Sequence, residues 1–484
     1  MTRIPFIEFS GGMQRRTSRL LKRDNECDII VNFHGDKIGA RTKRLGYSQV
    51  GDTLQANKSV LGQHGYYVKA GTDYHLATIN NSAATQSVLK YNNAGTWTDI
   101  TGATTLPASV KSEFATFIDY AFIVGGRTMT TGSLTGTTYS TTTNVTNAPK
   151  AKYCIVYKDR LYLLNCNTAA TNFPSRFYYS SLPTGAPLAI TWNVTEGTGD
   201  YEAVDEDDGE ELMGGTVNGN NLILFKETSM HAWNNSALWQ IDAVGCASHR
   251  SIQTVGAITY FLGQTDEGYS LRVYAGGISK PISGRIQDIF DGLTYAQASG
   301  SFSAHDSDHY YLYVGDLTID GETFTNCEVV YKFSTGEFWI NSFYDNFTCY
   351  TSMRSSNLRR IYAGCADGEI MQRARTRDAV YSDDTFAING YLKTRRYDLQ
   401  LPEQQKGISK IHVLCDEPQG MLVNVKLDNQ NRIEKGRKVY KEVSSFDMNA
   451  TPGYDFQVEI SESSTNPPCS FLGFVVELKQ ESKK

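Results

Sequence analysis

The stretch YKDRLYLLNC (Tyr157–Cys166) decides the fold, because its pattern of aromatic and aliphatic residues occurs seven times along the chain. Successive copies start 37 to 61 residues apart. The other six are QHGYYVKAGT from Gln63, FIDYAFIVGG from Phe117, NGNNLILFKE from Asn218, VGAITYFLGQ from Val255, SDHYYLYVGD from Ser307 and NLRRIYAGCA from Asn357. Strand repeats with a period of about 40–50 residues are typical of a β-propeller with one repeat per blade. We therefore predict an all-β fold with a propeller of about six to eight blades, of which seven are counted.

The composition agrees with an all-β chain. Of 484 residues, 12% are aromatic, and 42 Gly stand against 12 Pro, which indicates many tight turns between strands. Because no apolar stretch reaches the ~18–20 residues that a bilayer requires, we expect no membrane span. The nine cysteines form no CxxC pair, so we expect buried free thiols in a protein made in a reducing cytoplasm.

Composition and the spacing of strand-like runs predict three regions along the chain. Residues 1–50 look irregular, extended and basic, residues 51–377 carry the repeats, and residues 378–484 contain six strand-like runs without the blade spacing. The last region predicts a small β-sandwich. The Thr-rich insertion at 127–148 predicts an exposed loop or a thin edge hairpin, and GRIQDIFDGL (Gly284–Leu293) predicts one short helix.

Charge is distributed unevenly between the first region and the rest. Residues 1–50 hold ten basic and five acidic residues, a net charge of +5, which leaves −11 for the remainder of a chain whose total is −6. This asymmetry favours either a nucleic-acid or acidic-protein partner, or a solvated arm. The candidates for docking a partner are Arg15, Arg16, Arg19, Lys22 and Arg23.

Two clusters come nearest to a metal site. His305, Asp308 and His309 lie within five residues, but two His four apart on a continuous strand stand ~13 Å apart, too far to share one ion. An exposed start of a strand is the preferred interpretation. The acidic run from Asp200 to Glu211 does not fit the register of a calcium loop, so it must be solvated or meet a basic group. We predict no metal site, and whether the acidic run binds a cation is left open.

Motifs for catalysis and for cofactors are missing. The chain has no GxSxG, no phosphate-binding glycine loop and no recognisable Cys/His pair. We predict no catalytic residue, no cofactor and no enzymatic activity.

The opening of the chain resembles a known family. Gly11-Gly12, Asn25-Glu26, Val31-Asn32 and Arg44-Leu45-Gly46-Tyr47 are similar to the first segment of the tail hub, tail nozzle or packaged-DNA-stabilisation proteins of podovirus-like bacteriophages. Later segments agree, above all the stretch from Val244 to Ser283 and that from Ile388 to Lys406. The Thr-rich insertion is not expected of that family.

The resemblance implies a structural protein of the virion tail, synthesised in the cytoplasm of a bacterial host. Such proteins form a ring, usually a hexamer, that continues the DNA channel below the portal and its adaptor. They retain packaged DNA, dock other tail proteins and touch genomic double-stranded DNA non-specifically. Two other readings stay open: a tail-associated propeller that binds a receptor or glycan, and a glycan-cleaving propeller, which requires paired carboxylates.

Overall fold

The computed structural model describes residues 2–18, 21–35, 37, 39–68, 73–100, 106–125, 132–135, 138–140, 147–168, 171–184, 190–355, 358–375, 378–418, 420–427, 433–448 and 452–479. Six short strands lie in the first fifty residues. They are β1 (Thr2–Ile7), β2 (Gly12–Met13), β3 (Glu26–Val31), β4 (Phe33–His34), β5 (Arg41–Lys43) and β6 (Tyr47–Gln49).

Seven antiparallel groups of strands follow, each one blade of a propeller, and those of blades 6 and 7 continue into larger sheets. Blade 1 comprises β7 (Val60–Tyr67), β8 (Asp73–Asn80), β9 (Gln86–Asn93), β10 (Thr96–Asp99) and the short β11 (Leu106–Pro107). Blade 2 comprises β12 (Glu113–Phe117), β13 (Tyr120–Val124), β14 (Gly132–Thr135) and β15 (Thr138–Ser140). Blade 3 comprises β16 (Lys150–Tyr157), β17 (Arg160–Asn167), β18 (Asn172–Tyr179) and β19 (Tyr201–Ala203). Blade 4 comprises β20 (Gly214–Asn218), β21 (Asn221–Phe225), β22 (Met230–Trp233) and β23 (Leu238–Asp242).

Blade 5 comprises β24 (Gly245–Cys246), β25 (Gln253–Val255), β26 (Ile258–Thr265), β27 (Gly268–Tyr274) and β28 (Lys280–Pro281). The helices α1 (Gln287–Asp291) and α2 (Tyr295–Gly300) lead to the next blade. Blade 6 comprises β29 (Phe302–His305), β30 (His309–Ile319), β31 (Glu322–Lys332) and β32 (Phe338–Ser342). Blade 7 comprises β33 (Phe347–Ser355), β34 (Leu358–Cys365), β35 (Ile370–Arg373) and, as its fourth strand, β6.

The blades close into a ring. The inner strand β33 of blade 7 packs beside the inner strand β7 of blade 1, and Thr348 Oγ1 donates a hydrogen bond of 2.6 Å to Val60 O. Because β6 pairs with β35, the N-terminal part of the chain completes the last blade. The predicted all-β propeller is therefore confirmed, with seven sheets.

Tight turns between the first two strands of a blade explain most of the sequence repeats. In blades 2 to 5 the strands join through two residues, as in the pair Tyr157↔Arg160. At the first such turn Ile118 and Asp119 both have positive φ, and at the next Lys158 and Asp159 do. Such turns match the right-handed twist of the flanking strands.

The chain beyond the propeller forms a two-sheet sandwich. Its strands are β36 (Ser382–Asp383), β37 (Phe386–Ala387), β38 (Gly390–Thr394), β39 (Ile408–Asp416), β40 (Met421–Leu427), β41 (Ile433–Val439), β42 (Val443–Asp447), β43 (Phe456–Glu462) and β44 (Ser470–Leu478). The first two extend blade 7 beside β6, and the other seven build the sandwich. One sheet runs β42-β39-β44-β5-β4, with β1 also on β44, and the other runs β41-β40-β43-β38-β3.

The N-terminal segment departs from the irregular chain that the sequence suggests. β1, β3, β4 and β5 lie in the sandwich sheets, whereas β6 lies in the propeller. Strand β3 also pairs with β32 of blade 6 through Val31 and Ile340, so one sheet runs from the propeller into the sandwich. Residues 1–50 thus join the two units instead of forming a separate arm.

Smaller predictions can be placed on this fold. Strands β14 and β15 form an edge hairpin within the Thr-rich insertion, and α1 buries Ile289 and Phe290 as the helix prediction requires. All nine cysteines are free and buried, which confirms that prediction. None of the helices in the described part of the chain is long and apolar enough to cross a membrane.

Candidate functional site at the junction of blades 6 and 7

A buried network of charged groups fastens blade 6, blade 7 and the N-terminal segment together. The Glu328 carboxylate of β31 is fully buried and accepts hydrogen bonds from Arg373 Nη2 at 2.7 Å, Asn341 Nδ2 at 2.8 Å and Tyr350 OH at 2.8 Å. The Arg373 guanidinium also lies 3.6 Å from the ring centre of Tyr311. Burial lowers the pKa of Arg373, but Glu328 and the neighbouring phenols outweigh it and raise that pKa well above its usual value.

The residues that carry the family resemblance lie beside this network. Asn32 adopts a positive φ of 58° and its Oδ1 accepts a 2.7 Å hydrogen bond from Arg44 Nε. Arg44 is buried and pairs with the Asp383 carboxylate through two hydrogen bonds of 2.7 and 2.5 Å. A Cβ on Gly46 would come within 1.7 Å of Ser382 O, so only glycine fits. These three residues, which carry the family resemblance, therefore stabilise the junction by internal contacts.

Most basic side chains of the N-terminal segment pair with acids of the same chain. Seven of the ten do so within the described residues: Arg3 with Glu477, Arg15 with Asp288 and Asp320, Lys22 with Asp28, Lys37 with Asp416, Arg41 with Glu337, Lys43 with Glu462 and Arg44 with Asp383. The uneven charge distribution predicts an acidic partner for these basic residues. For these seven, the acidic partner is another part of the same chain.

The five docking candidates are consequently divided. Arg15 bonds to Asp288 at 2.6 Å and Asp320 at 2.8 Å, and Lys22 bonds to Asp28 at 2.5 Å, so both are largely buried in internal ion pairs. The side chains of Arg16 and Arg23 are exposed. Arg19 lies outside the described residues.

The His-Asp cluster has a geometry different from the continuous strand assumed from the sequence. Residues 306–308 form a turn between β29 and β30, and His305 and His309 are both buried. The Asp306 carboxylate accepts 2.8 Å hydrogen bonds from the backbone N of Asp308, the backbone N of His309 and Tyr311 OH. Burial would raise the pKa of Asp306, but the His309 side chain, followed by the hydrogen bonds from the Asp308 backbone and Tyr311, holds it well below its usual range. Asp306 thus organises a structural turn directly before β30. Ser307 and Asp308 are exposed, as the interpretation as an exposed start of a strand expects, whereas His305 and His309 are buried.

Metal binding finds no support at either cluster. In the described ranges, no group of three His, Cys, Asp or Glu side chains is placed to hold a metal ion. In the acidic run, Lys226 supplies the positive charge: its Nζ donates to Val204 O at 2.9 Å, Asp205 O at 2.8 Å and the Asp208 carboxylate at 2.5 and 2.6 Å. The sequence analysis expects the acidic run either to be solvated or to meet a basic group. In the structure, the run contacts Lys226 of its own chain.

The centre of the propeller is crossed by one side chain. Arg250, from blade 5, donates hydrogen bonds to Glu113 Oε1 at 2.5 Å, Ser112 O at 2.8 Å and Leu61 O at 3.0 Å, which belong to blades 1 and 2. A cavity of about 150 Å³ is left around it. Although burial lowers the pKa of Arg250, Glu113 outweighs this and raises it. Arg250 therefore links blade 5 to blades 1 and 2 across the centre of the ring.

Fold and site together define the class: a seven-bladed β-propeller joined to a β-sandwich by a buried ionic junction. No family model matches the chain, and neither does any curated protein. Among solved structures, it is similar to YCF48 bound to D1 peptide, at 9% identity and a TM-score of 0.40, over 68% of this chain and 95% of that one. It is also similar to YCF48 from Cyanidioschyzon merolae, at 11% identity and a TM-score of 0.36, over 68% and 98% of the two chains. Similarity at this level carries no further argument.

Sequence reasoning missed the ionic junction and a cluster of arginines beside it. Arg354, Arg359, Arg360, Arg373 and Arg375 lie on or next to three consecutive strands of blade 7. Their density between residues 354 and 375 is visible in the sequence. The convergence of Arg359, Arg373 and Arg375 on one cleft is not visible there, because it depends on how β34 and β35 fold beside the turn of blade 6.

Proposed function

We propose that this chain is a structural protein of a bacteriophage tail. In this proposal, copies assemble into a ring, a hexamer by the family resemblance, that continues the DNA channel below the portal and adaptor and retains the packaged DNA. One observation carries the proposal: the residues similar to tail hub proteins, among them Asn32, Arg44 and Gly46, are those that lock the N-terminal segment between propeller and sandwich. A unit locked in this way suits the wall of a conduit.

The centre of the propeller constrains the path of DNA within this proposal. Because Arg250 bridges the blades there and the cavity around it measures only about 150 Å³, DNA would pass beside each propeller, through the lumen of the ring. A chain with a net charge of −6 repels the phosphate backbone, which favours sliding and non-specific contact over tight binding.

In this proposal, exposed basic side chains bind the portal, the adaptor or other tail proteins. Arg16 and Arg23 are exposed, whereas Arg15 and Lys22 are held in internal pairs. We expect the Arg16→Ala, Arg23→Ala double variant to form rings but to join portal–tail particles poorly. Lys37→Ala changes another basic residue of the same segment and serves as the control, which should be incorporated normally. Equal incorporation of both variants would exclude this docking role.

Electron microscopy of the purified chain, alone and with portal–tail particles, tests the proposal as a whole. A closed ring incorporated below the portal supports it. A monomer that ignores those particles contradicts it.

A second candidate function is recognition of a host receptor or glycan. Tyr344 and Phe386 stack with ring centres 3.4 Å apart, and their exposed fractions are 60% and 40%. Exposed aromatic pairs of this kind suit binding to sugar rings or apolar protein surfaces. Cell binding by the isolated protein that is lost in Tyr344→Ala would favour this function. For glycan cleavage the central cavity offers the Glu113 carboxylate, which is already paired with Arg250.

A further inference from the structure

A cleft opens between blades 6 and 7 beneath the N-terminal segment. Its volume is about 390 Å³, within the range of about 300–1,000 Å³ typical of sites for small molecules. The turn between β29 and β30 forms one wall, and the start of β34 with the chain after β35 forms the other. The charged side chains that line it are Asp306, Asp308, Lys332, Arg359, Arg373 and Arg375.

Its cationic groups approach from different elements. Lys332 ends β31 and donates to Gly35 O at 2.7 Å, Arg359 stands near the start of β34, and Arg375 follows β35. Arg373 lies between them, and while its Nη2 bonds to Glu328, its buried Nη1 has no hydrogen-bond partner among the described residues. Donors arranged around a cleft in this way can surround an anion, and arginine is the side chain best suited to oxyanions.

The carboxylates in the cleft do not neutralise these cations. The Asp306 carboxylate is occupied by the hydrogen bonds of its own turn, and Asp308 is exposed at the rim. Four cations face two carboxylates, and Glu328 behind Arg373 offsets one more charge, which leaves an excess of one positive charge. Burial lowers the pKa of Arg359, and the opposing influence of Tyr67 and Asp306 does not restore it to its usual value.

We propose that this cleft binds an oxyanion of the phosphate class, held by Arg359, Arg375 and Lys332 above the buried Arg373. The ligand is a free phosphate, a phosphomonoester or a phosphodiester, since all three present the same tetrahedral oxygens. The inference is independent of the tail-protein proposal, because it uses the cleft of a single chain.

Isothermal titration of the full chain at constant ionic strength tests the site, with inorganic phosphate, dimethyl phosphate and acetate as probes. We expect inorganic phosphate to bind and acetate to bind at least about tenfold more weakly. Dimethyl phosphate distinguishes the possible ligands. If it binds, the site accepts phosphodiesters. If it does not bind, the ligand is free phosphate or a phosphomonoester. Both outcomes support the proposal. Acetate binding as tightly as phosphate, or no phosphate binding, would overturn it.

Two variants locate the binding. Arg359→Gln should weaken phosphate binding about tenfold or more, the loss expected for one charge-assisted hydrogen bond. Arg354→Gln is the matched control, since Arg354 is an exposed arginine of the same blade that does not line the cleft. Circular dichroism confirms that both variants are folded. If the two variants lose equal affinity, binding is diffuse attraction to the surface and the proposal fails.

Discussion

We expect the ion pair between Arg44 and Asp383 to contribute strongly to the stability of the junction. The two side chains have exposed fractions of 1% and 5%. Besides its two bonds to Asp383, the guanidinium donates to Asn32 Oδ1 at 2.7 Å, Ser342 O at 2.9 Å and Leu45 O at 3.0 Å. The guanidinium also lies 4.4 Å from the ring centre of Phe343. Removing this one side chain therefore affects blade 6, the N-terminal segment and the chain that follows the propeller.

Replacing Arg44 by Met keeps most of the volume but leaves the Asp383 carboxylate buried without its partner. Breaking a buried pair from one side costs about 3–5 kcal/mol. Lys37→Met is the matched control, because Lys37 pairs with Asp416 at 2.8 Å and both side chains are about half exposed. Such surface pairs contribute about 0–1 kcal/mol. The double change Arg44→Met, Asp383→Leu removes both charges and should recover part of the loss, but not the hydrogen bonds to Asn32 and Ser342.

Equilibrium urea unfolding, followed by tryptophan fluorescence, measures the three variants against the parent chain. Limited proteolysis adds the location, since loss of this ion pair should expose residues 1–50 to cleavage first. Equal unfolding free energies for Arg44→Met and Lys37→Met would refute the reasoning. A double variant less stable than Arg44→Met would show that the uncompensated Asp383 charge is not the main loss.

Three further outcomes are expected. Lys226→Met should cost about 1.5–3 kcal/mol of unfolding free energy and make the acidic run sensitive to protease, because the partly exposed Asp208 carboxylate loses its ammonium. Ca²⁺ should leave the melting temperature of the parent chain unchanged. Burial lowers the pKa of His75 to about 3, below its unfolded value of about 6.5, so the unfolded chain binds more protons and stability falls as the pH drops below about 6.5. His75→Gln should remove about 1.6 kcal/mol of the loss measured by urea unfolding between pH 6.5 and 5. Arg250→Met should lower the unfolding free energy by about 2–3 kcal/mol, since Glu113 loses a charge-assisted hydrogen bond, and a loss below about 0.5 kcal/mol would argue against a stabilising bridge between the blades by this group.

The blade repeat was predictable because it is local. A two-residue turn between two strands leaves a signature in ten consecutive residues, and in six of the seven copies the quoted stretch contains the second strand of a blade. In the first copy the stretch from Gln63 covers most of β7, and the equivalent strand is β8 (Asp73–Asn80). The five residues between these strands replace the short turn, so hydrophobic pattern alone placed the repeat one strand too early.

The role of the N-terminal segment was not predictable, because its partners are distant in sequence. Arg3 pairs with Glu477, 474 residues away, and β6 completes a blade whose other strands begin at Phe347. On β5, Arg41 and Lys43 are buried cations flanking Thr42, a pattern that in most strands would mark a solvent-facing side. The composition shows that the N-terminal segment is basic, but it does not show which acidic residues pair with these cations.

Internal pairing changes what an uneven charge distribution implies. A surplus of +5 in the first fifty residues favours an external partner only if those cations are free, and seven of the ten are already paired. The cations that have no ion pair among the described residues are the better guide to recognition: the exposed Arg16 and Arg23, and Arg359 and Arg375 in the cleft between blades 6 and 7. If recognition depends on them, raising the salt concentration should weaken partner or phosphate binding while leaving the junction intact, because buried pairs are screened far less than exposed ones.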